Sequence, residues 1–195
     1  MTDHHTVLEN LAALLTARTA WDEDAELYTL HTTPAGTVVL PMGLPRAYWH
    51  MAGDPKQAVG ALAASIRVIG SVPFLGHVPT AYGPPVGVAL RMESYAIDST
   101  RQDTPQVAEA TRRLVAGGSL PPLRTIPGRL EQRHVQALTL DGHAYDVSGT
   151  RLTNNTMGTP EKNHFPPGRK GFLVGPAMDV LRSLLEALAE KQVAR

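Results

Sequence analysis

Four side chains able to carry charge or a proton fall within nine residues of this chain: Lys162, His164, Arg169 and Lys170. Gly168 and Gly171 flank the Arg-Lys pair. Glycine lets backbone N–H groups approach an anion closely, and a guanidinium beside an ammonium supplies opposing charge. The segment leads into a helix beginning near Pro176, whose N-terminal dipole also favours a negative group. These four residues are therefore the expected anion or partner contact. They do not make a nucleotide loop: Gly168-Arg169-Lys170-Gly171 lacks both the spacing and the hydroxyl residue that phosphate cradling needs.

Histidine offers metal and acid–base chemistry. Eight are present, His4, His5, His31, His50, His77, His134, His143 and His164, and none fall at H-x-H, H-x-x-x-H or H-E-x-x-H spacing. His4 and His5 are adjacent, so on a helix they point about 100° apart and cannot share an ion. The sequence thus predicts no metal site and no cofactor. Nucleophilic chemistry fares similarly, because no G-x-S-x-G elbow exists. Asp146 and Ser148 share a strand face. If Asp141-Gly142 is a two-residue turn, however, His134 lies opposite Gly149 and the pleat turns it away from Ser148. That geometry makes no triad. The remaining catalytic candidates are dispersed: Glu93 as base, with His77 or His164. Arg91, Glu93 and Tyr95 on one strand, and Arg129, Glu131 and Arg133 on another, read as a solvated charge ladder.

Composition narrows the classes. The 195 residues carry 18 basic and 18 acidic side chains and no cysteine. Zero net charge argues against a dedicated nucleic-acid binder, which needs basic excess to neutralise phosphates. Without cysteine there are no disulfides, thiolate zinc sites or iron–sulfur clusters, which fits a cytoplasmic protein. No apolar window approaches the ~18 residues of a membrane span, and no signal peptide is read. Arginine far outnumbers lysine and Ala, Gly and Pro abound, the signature of a high-GC bacterial, phage or plasmid gene.

The elements that must position these groups read clearly in places. Asp3 caps a helix carrying Val7, Leu8, Leu11, Leu14 and Leu15 on one stripe. Strands follow at 26–32 and 37–40. Asp54-Pro55 and Thr104-Pro105 each pair a cap with proline at the first helical position, where the missing N–H costs nothing. A long strand spans 86–98, and Leu130–Leu152 reads as a hairpin. The Asp141-Gly142 register would pair Leu138 with Tyr145 and Gln136 with Val147. The apolar segment 42–51 either covers one end of the core or, if exposed, marks a protein–protein interface. The final helix buries Val180, Leu181, Leu184, Leu185 and Leu188.

The order α-β-β-α-β-α-β-β-α implies an α+β (or α/β) fold: a mixed sheet of roughly five strands with helices on its faces, in one domain spanning residues 1–195. Irregular Gly/Pro-dense loops are expected at 70–85, 118–128 and 153–175. The functional expectation is a binding or assembly module acting through those loops, on a protein partner or a second copy. A small hydrolase or transferase with a dispersed Glu–His pair is the second reading. On the first, removing residues 162–170 leaves the fold intact.

Overall fold

The computed structural model describes residues 3–69, 82–98, 104–116, 122–168 and 176–193. Helix α1 (His4–Thr16) begins where Asp3 ends its unpaired donors: the carboxylate accepts the His5 backbone N–H at 3.1 Å and the Thr6 hydroxyl. Strands β1 (Glu26–Thr33) and β2 (Gly36–Pro41) form a hairpin. Helix α2 (Arg46–Ala52) is short, and Gly53, at φ +69°, ends it in a left-handed cap. Helix α3 (Pro55–Ile69) starts as its cap residue requires, with the Lys56 N–H donating to Asp54 Oδ1 at 2.7 Å. Strand β3 (Gly87–Ala96), helix α4 (Pro105–Val115), strands β4 (Leu130–Thr139), β5 (Ala144–Thr150) and β6 (Glu161–Phe165), and helix α5 (Pro176–Val193) complete the order.

The six strands form one sheet in the order β2-β1-β3-β4-β5-β6, with every neighbouring pair antiparallel. Period-2 alternation gives each face its own core. On one face, Val7, Leu11 and Leu15 of α1 pack on Tyr28, Leu30, Ala89, Val135, Ala137, Tyr145 and Val147. On the other, α3 and α5 bring Val59, Leu62, Ile66, Leu181, Leu184 and Leu185 against Leu27, Val88, Leu90 and Leu138. Met42 and Trp49 join this second core, so the 42–51 segment does cover one end of it.

The α+β class holds, with two corrections to the sheet. It is antiparallel rather than mixed, and it has six strands rather than about five. The added strand, β6, lies inside the span 153–175 that reads as irregular. Glu-Lys-Asn-His-Phe has no apolar alternation and stands between prolines. Its strand state comes from pairing with β5, a tertiary cause that local pattern does not carry.

The hairpin register also differs by one residue. Gly142 N–H donates to the Thr139 carbonyl at 2.9 Å, Thr139 N–H donates to the His143 carbonyl at 3.0 Å, and Gly142 has φ +84°. That is a three-residue loop, a turn over Thr139–Gly142 closed by a left-handed glycine, rather than a two-residue type I′ turn. Leu138 consequently pairs with Ala144, Ala137 with Tyr145, and His134 with Ser148. A one-residue slip exchanges the faces, so Tyr145 and Val147 turn towards α1.

Candidate metal centre

Three histidines from distant parts of the chain meet at one end of α1. His4 is the first residue of that helix, placed there by the Asp3 cap. His143 leaves the β4–β5 turn, and His164 sits on β6 directly opposite Tyr145. One ring nitrogen from each lies within 4.8 Å of the others. His143 Nδ1 and His164 Nε2 are 2.9 Å apart and share a hydrogen bond. The His4 ring stacks on His164 with centroids 4.2 Å apart, and lies 4.3 Å from the His143 ring. Tetrahedral zinc with Zn–N near 2.0–2.1 Å needs nitrogens about 3.3 Å apart. The 2.9 Å pair is closer than that and the full spread, up to 4.8 Å, is wider, so the rings would have to turn to share one ion.

Neighbouring groups orient these rings. Tyr145, fully buried, hydrogen-bonds His4 Nδ1 at 2.7 Å, which leaves His4 Nε2 for an ion. Burial, aided by the charge of Asp141, pushes the Tyr145 phenol up to about 12, so it stays neutral. Asp141 Oδ2 lies 4.0 Å from His143 Nε2, while its Oδ1 accepts from the Thr139 hydroxyl. Burial works to raise the Asp141 carboxyl, but the Thr139 hydrogen bond and the charge of His143 outweigh it and hold the group low. Burial first, then His4 and His143, pull His164 below the usual imidazole range. Metal binding requires neutral imidazoles, and an ion would displace the proton shared between His143 Nδ1 and His164 Nε2. A phenol bonded to one imidazole, and a carboxylate 4.0 Å from another, are the kind of outer partners that orient imidazole ligands.

The residues expected from the sequence have other placements. Lys162, two positions from His164 on the same strand, donates to both Glu9 carboxylate oxygens at 2.7 and 2.8 Å. Its charge is thus spent within the fold, clamping β6 to α1. Arg169, Lys170 and His77 lie outside the described residues, as does most of 70–85. Glu93 sits at the opposite end of α1, about 20 Å away by the ~1.5 Å rise per residue. There Arg133 donates to Glu93 Oε1 at 2.8 Å and to the Arg18 carbonyl at 2.7 Å, and also to the carbonyls of Leu15 and Ala20. Arg133 thereby satisfies one carbonyl in the last turn of α1 and two in the segment that follows it. The charge ladder is solvated only in part: Arg91 and Arg133 are 3% and 2% exposed, whereas Tyr95 is 36% exposed. Glu93 and His164 are not brought together.

The corrected register changes one more site. His134 faces Ser148 across the strands; its Nδ1 lies 3.5 Å from Asp146 Oδ1 but is buried without a hydrogen-bond partner, and that oxygen accepts from Gln136 Nε2 at 3.0 Å. All three members thus share a face, although Ser148 is buried. A groove of about 360 Å³ beside α4, lined by Pro105, Ala110, Ile126 and Pro127, contains none of them.

Sequence reasoning missed His4, His143 and Tyr145 as a group. The only local signals were the Asp3 cap, which puts His4 on the first helical turn, and the turn that projects His143. Comparison with known proteins finds no match among family models, curated proteins or solved structures.

Proposed function

We propose that this protein is a binding module for a divalent transition metal, zinc by the character of its donors, held by His4, His143 and His164. The observation that carries this reading is the convergence of three imidazole nitrogens within 4.8 Å from three separate elements. Imidazole donors suit zinc, copper, nickel and cobalt, and disfavour magnesium and calcium, which take oxygen. The binding-module expectation is kept, but its centre moves from the Gly/Pro loops to the junction of α1, β5 and β6. A cytoplasmic setting goes with a chain that has no cysteine to oxidise. Self-association through the loops is the part that sedimentation of the metal-loaded chain decides; a clean monomer removes it.

Titration of metal-stripped protein with zinc, followed by calorimetry, tests the reading. One ion per chain is expected, and His143→Ala or His164→Ala should weaken binding at least ~10-fold, as loss of a ligand costs no less than loss of its supporting shell. His5→Ala should leave affinity unchanged, since His5 is exposed and outside the cluster. Binding that survives both ligand substitutions would overturn the assignment.

A further inference from the structure

Among the described residues three histidines converge where a tetrahedral ion takes four donors. Structural zinc sites close their shell with protein ligands, whereas reactive ones leave a position to an exchangeable molecule. Three neutral imidazoles cancel none of the ion's charge, so a fourth, anionic donor is strongly favoured.

Among the described residues, the nearby acidic and phenolic groups have other contacts. Glu9 is held by Lys162 through both carboxylate oxygens. Asp141 faces the far nitrogen of His143, and its other oxygen is held by Thr139. Tyr145 is bonded to His4 Nδ1, which leaves Nε2 as the nitrogen free to take an ion. Each of these groups therefore supports a ligand or the helix rather than filling the shell. Solvent reaches the centre from the turn side, where Asp141 is 53% and His143 19% exposed.

We propose, resting on the metal-binding reading above, that the ion at His4, His143 and His164 keeps one coordination position open for water or a small exogenous anion with an oxygen or nitrogen donor, such as a carboxylate, bicarbonate or azide. The centre is thus a receptor site for anions, with the metal supplying the positive charge that the surrounding side chains do not.

Cobalt substitution of the full-length chain reads both levels separately. Cobalt bound by three imidazoles and one light ligand gives intense visible bands that depend on the fourth donor. The expected result is one cobalt per chain, with bands that shift saturably on adding azide or acetate. In Asp141→Asn cobalt should bind more weakly, because His143 loses its outer partner, but the bands of the loaded protein should still shift on adding anion. Cobalt bands that ignore both anions would overturn the open position while leaving the metal reading standing. An anion response appearing only in Asp141→Asn would also overturn it, by showing that Asp141 fills the fourth place. Failure to take up cobalt at all would instead remove the metal reading, and this inference with it.

Discussion

At the scale of single residues, Tyr145 is the most informative side chain. It is buried against α1, pairs with Ala137 and His164 in the sheet, and reaches His4 with its hydroxyl. Tyr145→Phe keeps the ring and its packing but removes the group that orients His4. Zinc affinity should fall about 10-fold with thermal stability little changed, as measured by calorimetry beside a melting curve. An unchanged affinity would mean that the phenol plays no part in positioning His4. The role of Tyr145 could not be read from sequence, since a Tyr between Ala144 and Asp146 looks like any strand aromatic. Each histidine was equally visible and equally uninformative alone. Their convergence depends on a helix cap, a turn type and a strand pairing acting together. Glu93 shows the converse: a carboxylate that looked available is committed to Arg133 and to the Asp22 backbone N–H at 2.7 Å.

At the scale of elements, legibility followed the range of the forces. Helices α1, α3, α4 and α5 were readable because caps, prolines and 3.6-residue stripes are local. The β4–β5 hairpin was readable as a hairpin but not in register, since Asp-Gly serves both two-residue and three-residue loops and only the hydrogen bonds distinguish them. Helix α2 is not legible because Arg-Ala-Tyr-Trp-His-Met-Ala is too short to show a helical stripe, and burying Trp49 fixes it. Strand β6 escaped because its partner, not its composition, makes it a strand. That strand changes what a deletion should do. Removing 162–170 takes away the β5 ladder partner, the Lys162–Glu9 clamp and one proposed ligand. We expect the melting midpoint to drop by roughly 5 °C or more, since even ~2 kcal/mol moves a chain of this size that far. A deletion that melts with the parent would contradict the assigned strand.

At the scale of the molecule, α1 and the α3–α5 pair clasp the sheet from opposite faces, and no described helix is long and apolar enough to cross a membrane. Stability of the whole should track acid in a defined sense. His31 is fully buried, bonded to the Gly83 carbonyl and the Thr29 hydroxyl, and its burial depresses its pKa despite the pull of the Gly83 and Pro84 carbonyls. The unfolded chain takes up a proton on this residue near pH 6.5, whereas the folded chain resists until lower pH. Stability is therefore fully present above about pH 6.5 and declines as acid carries the solution towards the folded pKa. His164 adds a decline of the same sign. Denaturant midpoints from about pH 7 to pH 5 should fall, and His31→Gln should flatten that fall; a slope unaltered by the substitution would assign it to other groups. The terminal strand has one more effect at this scale. Pro160 and Pro166 bracket β6, and Glu161, Lys162 and Asn163 lie exposed along it. A margin built that way offers an incoming strand mismatched charge and, at both corners, no amide to grip. The sheet thus carries its own hem, and crowding many copies together should not knit them into fibres along that border.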